Sequence, residues 1–202
     1  MQMIDFTIAG VDYGSKLAGT TAIAYNQGPV LYITQSTKGQ NADQFVVDVL
    51  TGTVPQPLQQ VFLEAPLSLP LAYRQPVARP DFMFRAADRA VGAMSPMFLG
   101  GLTARAMALQ HQLSGMGLAC HEAYPSALAR VLLPHLHPYK KAVARLTDFT
   151  EAAQLVAAPY TLAQPPQNGH QLDALLAWKT GLRYHQGQHQ CYGHSAEGVI
   201  LV

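Results

Sequence analysis

The sequence predicts one α/β domain built on a mixed sheet, and three observations predict it. Three apolar segments rich in strand-forming residues follow one another through short turns within the first 34 residues. Shorter apolar runs then alternate with helical patterns to the C-terminus. Two of the apolar runs close on an acid, Asp12 and Glu64. Strands joined by tight turns pair antiparallel, whereas strands separated by helices pair parallel. At 202 residues the chain is long enough for one such domain with a sizeable core.

The elements follow in order. Residues 3–13 form the first strand, with a tight turn at Gly14-Ser15-Lys16. Residues 20–25 form the second, Asn26 to Pro29 a hairpin turn and residues 30–34 the third. Asn41 reads as the N-cap of a helix whose Phe45, Val46, Val49 and Leu50 share a face, ended by Pro55 and Pro57. Val61 to Glu64 is a fourth strand and Leu118 to Ala123 a fifth. Pro125 suits the first turn of a helix reaching about Leu133. Thr147 to Val156 is a further helix. After the loop at residues 164–169, Asn168 or Gly169 caps a last helix carrying Leu172, Leu175, Leu176 and Leu182. Gly198 to Val202 is a short terminal strand.

Residues 66–117 separate two strands by far more than a crossover requires, so they read as an insertion within the single domain 1–202. Two helices are expected there, around Phe84–Met94 and Thr103–Leu113, broken at Gly100-Gly101. The insertion carries Arg74, Arg79, Arg85, Arg89 and Arg105 against Asp81 and Asp88. Arginines beside an acidic rim suit phosphate. At helical spacing, Arg85, Asp88 and Arg89 equally suit surface ion pairs.

Composition excludes several classes. Apolar residues make up 49% and charged residues 12%, a globular balance. The net charge is +1, so any nucleic-acid contact must come from a local patch. Cys120 and Cys191 do not make a disulfide framework, and Cys120 reads as core. The N-terminus lacks a secretory pattern and no apolar run is long enough to span a bilayer. A cytoplasmic location with no membrane partner is expected. His185, His189, Cys191 and His194 match no standard zinc spacing and read as a solvated loop. Neither a phosphate-binding P-loop nor a Ser-His-Asp arrangement with a nucleophile elbow is present.

The acids carry the chemistry. Asp12 and Glu64 each end an apolar strand, which places a carboxylate at the sheet rim. Asp173 lies near the start of the last helix, and His170 three residues earlier shares its face. An acidic cluster of this kind suits divalent cations. Each acid has a plainer reading beside this one: Asp12 would begin a turn, and Asp173 would favour its helix N-terminus.

The order of three antiparallel strands, a helix, a fourth strand, then alternating helices and strands resembles an RNase H-like domain. Asp12, Glu64 and Asp173 match that fold's three acidic stations, and His170-x-x-Asp173 is similar to the late-helix pair of Holliday-junction resolvases. More closely still, five motifs resemble a bacterial and archaeal family described as predicted RNase H-like nucleases. They are Val11-Asp12-x-Gly-Ser15-Lys16-x-Ala-Gly19-Thr20, Glu64-Ala-Pro-Leu-Ser-Leu-Pro70, Arg85-x-x-Asp88-Arg89, Glu122-Ala-Tyr-Pro125 and Asp173-Ala-Leu-Leu-Ala177. The closing Gly193-x-x-x-Glu197-Gly198-x-Ile200 is similar as well. The likeness departs at Glu64, where many relatives are expected to carry Asp.

That resemblance implies a three-layer α/β/α fold with a mixed five-stranded sheet. It also implies hydrolysis of phosphodiester bonds in DNA or RNA by a two-metal mechanism. On it, Asp12, Glu64 and Asp173 hold Mg²⁺ or Mn²⁺, and Glu122 or His170 orients water. Lys16, Arg85 and Arg89 contact substrate phosphates. Two other readings stay open. Actin-like phosphotransferases share the core and an Asp-x-Gly-Ser/Thr hairpin, but they use two such domains around ATP, so a homodimer would have to restore the second half. A non-catalytic nucleic-acid-binding domain is the third.

Overall fold

The computed structural model of the chain describes residues 4–78, 80–134 and 146–202. Met3 of the expected first strand and Arg79 of the insertion lie outside the described residues. The sheet is assembled from β1 (Thr7–Asp12), β2 (Ala22–Gln27), β3 (Val30–Gln35), β4 (Leu58–Glu64), β5 (Ala119–Glu122) and β6 (Thr161–Leu162), in the order β5-β4-β1-β2-β3-β6. The β1–β2–β3 meander is antiparallel, while β1/β4, β4/β5 and β3/β6 are parallel. The first five strands have the order and directions expected of an RNase H-like sheet.

The expected five strands are six. β6 pairs only Thr161 and Leu162 with β3. Two residues make no alternation that a sequence can display. The terminal strand forms where expected. β8 (Gly198–Leu201) pairs with β7 (Cys191–His194) in a separate ribbon, which meets the main sheet at an Ala123–Leu201 bridge. The segment expected as a solvated loop therefore contains a strand, β7.

Helices cover both faces of the sheet, as a parallel core requires. On one face, α1 (Ala42–Gly52) and α4 (Gly101–Gly115) share a core with Val11, Ile23, Val61 and Leu63. On the other, α5 (Pro125–Leu132), α6 (Leu146–Ala157) and α7 (Gly169–His185) share a core with Ile8, Leu31 and Phe62. The caps are those read from the sequence. Asn41 accepts from the Asp43 backbone, and Asn168 accepts from the Gln171 backbone. Within the insertion, the expected Phe84–Met94 helix is the shorter α2 (Ala86–Val91), closed by Gly92 at φ 72°. An additional helix, α3 (Pro96–Leu99), precedes the break at Gly100.

One contact sets the position of α7. A Cβ on Gly10 of β1 would stand 2.0 Å from the Trp178 backbone nitrogen and 2.5 Å from the Ala174 carbonyl. Only glycine lets the helix backbone lie this close to the strand. Trp178 fastens the contact from its own side by donating from Nε1 to Asn26 Oδ1 at 3.2 Å. Gly10→Ala is expected to lower the unfolding free energy by ~3 kcal/mol or more through overpacking. Urea titration checks this, and an unchanged midpoint would show that the close seat is not structurally required.

Candidate metal centre

The parallel register of β1 with β4 sets Asp12 directly beside Glu64. Seated on β1 at Gly10, α7 carries Asp173 in its second turn to the same rim. One carboxylate oxygen from each of Asp12, Glu64 and Asp173 lies within 4.8 Å of the others. Among the described residues no other group of three His, Cys, Asp or Glu side chains comes so close together. Asp12 and Asp173 are buried and Glu64 is half-buried. His170, one turn before Asp173, places Nδ1 2.8 Å from Asp12 Oδ2 and leaves 45% of its side chain exposed. The trio and His170 thus meet at one point, from three elements distant in sequence.

The loop after Asp12 is braced by residues that the sequence did not single out for this purpose. Arg105 of α4 donates from Nη2 to Asp43 Oδ1 at 2.6 Å and from Nη1 to the Gly14 carbonyl at 3.2 Å. Its guanidinium lies 4.8 Å from the centre of the Tyr13 ring, and Tyr13 donates its hydroxyl to Asp43. Burial pushes the Tyr13 phenol up, and its hydrogen bond to Asp43 pushes it further. Burial also acts upward on Asp43, but bonds from Arg105 and Tyr13 outweigh it and hold the carboxyl below the usual range. Asp43 and Arg105 are 62 residues apart, so no local pattern connects them.

Two expected site residues are instead committed to each other. Arg85 is fully buried. It donates to Glu122 Oε1 at 2.6 Å and Oε2 at 2.7 Å, to Asp88 Oδ1 at 2.6 Å and to Ser68 Oγ at 2.8 Å. Glu122 Oε2 also accepts from the Leu67 backbone at 2.9 Å. Arg85 is therefore an internal counter-ion and not a phosphate contact. Both oxygens of Glu122 accept hydrogen bonds from Arg85. Burial pushes the Glu122 carboxyl up, against the pull of Arg85. The two carboxylates in turn hold Arg85 above the ordinary guanidinium range despite its burial. This network ties the end of β5 to the loop that follows Glu64.

The remaining basic candidates are on the surface. Arg89 pairs with Asp81 and lies 4.4 Å from the Phe84 ring centre. Asp81 is held down at about 2 by the Phe84 amide, Arg89 and the Met83 amide. Arg89 thus follows the surface ion-pair reading, with Asp81 as its partner. Lys16 is exposed on the loop after Asp12. The four possible zinc ligands do not assemble. His185 and His189 pack on Tyr184 at 5.4 and 4.8 Å, while Cys191 and His194 are exposed on β7.

No family model matches the chain, and no curated protein does. Among solved structures, it is similar to RuvC of Thermus thermophilus at 16% identity and a TM-score of 0.46, over 91% of this chain and 98% of that one. By its own strand order and directions, the domain is RNase H-like. No described helix of this RNase H-like domain is long and apolar enough to cross a membrane.

Removing the Arg85 charge while keeping its bulk leaves Glu122 and Asp88 buried without their counter-ion. Arg85→Met is expected to cost ~3–5 kcal/mol at neutral pH. The Glu122 carboxyl is already pushed up by burial, and it rises further without Arg85. The folded variant then binds more protons than the unfolded chain, so its stability falls as pH rises from acid through the raised value. Urea unfolding of both proteins at pH 5 and pH 8, roughly spanning that interval, should show the deficit shrinking at the lower pH. A pH-independent deficit would contradict this electrostatic account.

Proposed function

We propose that the chain is a metal-dependent nuclease that hydrolyses phosphodiester bonds. The observation that carries this reading is the convergence of Asp12, Glu64 and Asp173 at one rim of an RNase H-like sheet. The donor set fits a hard divalent cation. It consists of carboxylate oxygens, with one ligand atom per residue close enough to share a coordination shell. Asp12, Glu64 and Asp173 would hold Mg²⁺ or Mn²⁺. Such ions, when bound, supply an activated water and stabilise charge on phosphorus and on the leaving oxygen.

The chain's own contribution is arrangement. Asp12 and Glu64 are fixed by paired strands, which hold a carboxylate more rigidly than a loop does. Asp173 is fixed by a helix that cannot withdraw without losing its seat on Gly10. His170 orients the Asp12 carboxylate through Oδ2, and its ring is half-exposed. Lys16, on the loop leaving Asp12, supplies an exposed positive charge for substrate phosphate. A local set of this kind suits a chain whose net charge is only +1.

Asp12→Asn is expected to abolish Mn²⁺ binding in calorimetry and all cleavage of labelled single-stranded, duplex, hybrid and branched substrates. The thermal midpoint should hold or rise, because one charge leaves a crowded site. His170→Ala should weaken Mn²⁺ binding ~10–100-fold, as loss of an outer partner does. Full metal-dependent cleavage by Asp12→Asn would place the active site elsewhere. Asp12-dependent metal binding with ATP hydrolysis and no strand cleavage would favour the phosphotransferase reading.

A further inference from the structure

A cavity of about 320 Å³ opens beside the acidic trio, and Asp12 and Glu64 form part of its wall. Much of the remaining lining is apolar and comes largely from the insertion: Ala93, Met94, Leu99 and Leu102, with Tyr124 and Ile200. Its volume stands at the small end of the range of ~300–1,000 Å³ usual for small-molecule sites. That is room for one planar ring system with part of its sugar, and too little for a base pair. At the mouth, Met94 is 59% exposed. On the adjoining α3, Phe98 is 68% exposed, with its ring edge-on to Phe84. Ile200, Ala93 and Tyr124 also pack on one core of the sheet and Leu102 on the other, so the lining is anchored.

Resting on the nuclease reading above, we infer that this cavity is a subsite for a single unstacked nucleobase, whose own phosphate lies on the acidic trio. The apolar wall supplies the ring with van der Waals contact in place of its stacked neighbours, as pockets for extruded bases do. The nearby acids act on the phosphate end alone, so one ligand meets both halves of the site. Asp88 and Glu122 also line the cavity, and both pair with Arg85, whose single positive charge offsets one of their two negative charges. A paired base would have to leave its duplex to enter, which favours strands whose bases are already unpaired. The same chemistry describes a free nucleotide, and the test separates the two sources.

The test is fluorescence anisotropy of an end-labelled short oligothymidylate against a strand of equal length made wholly of abasic residues, with Ca²⁺ replacing Mn²⁺ to stop cleavage. Wild-type protein should bind the base-bearing strand roughly tenfold more tightly, the contribution of one well-stacked base. Ala93→Phe, which fills the cavity, should remove that preference. Met94→Ser, at an exposed position where folding is safe, should reduce the preference. Competition by free thymidine monophosphate at matched concentration would assign the pocket to free nucleotides, and its failure to compete would assign it to a base within a strand. Equal binding of the two strands by wild type, or binding of neither, overturns the subsite. Calorimetry of the wild type and Asp12→Asn with Mn²⁺ alone judges the nuclease reading separately, since it involves no base.

Discussion

The site depends on how closely α7 lies on β1. A strand fixes the directions of its own side chains but cannot bring a third acid to its end. Here that acid arrives because Gly10 has no Cβ and the helix backbone occupies the space. The same approach packs Trp178 into the core, where its ring meets Tyr160 edge-on and its nitrogen finds Asn26. Asn26 in turn holds the chain entering β1, accepting from the Ile8 amide and donating to the Phe6 carbonyl. Helix position, strand position and acid position are therefore one constraint.

The structure handles its carboxylates in two ways at and beside one cavity. Glu122 and Asp88 are satisfied internally by Arg85, at the desolvation cost that a buried ion network carries. In return, the network fixes the loop after Glu64 through Leu67 and Ser68. Glu197 does similar work from the β7–β8 turn, accepting from the amides of Leu71 and Ala86 and so joining the ribbon to the insertion. Asp12, Glu64 and Asp173, by contrast, point their oxygens toward a common centre. The first set is a scaffold, and the second is a cluster of the kind that could hold a divalent cation.

The meander, the two acids at strand ends and the capped last helix were legible because their causes are local. Apolar runs ending in Asp12 and Glu64 locate the rim, and the spacing of His170 and Asp173 locates the helix face. Parallel pairing then makes neighbours of the two strand ends. Spacing along a helix does not report the burial of Arg85. The sequence shows a basic residue three before Asp88, and only the fold shows Glu122 waiting beneath it. Arg105 escaped notice as a brace because Asp43 is 62 residues away. β6 escaped because two residues carry no period, and β7 because its partner, not its composition, makes it a strand.

The central claim is that three carboxylates from β1, β4 and α7 form one metal site. Anomalous diffraction from crystals soaked in Mn²⁺ tests it most directly. The account predicts anomalous density bounded by Asp12, Glu64 and Asp173, absent in Asp12→Asn crystals under the same soak. Density elsewhere, or none at a concentration that saturates binding in solution, would contradict it.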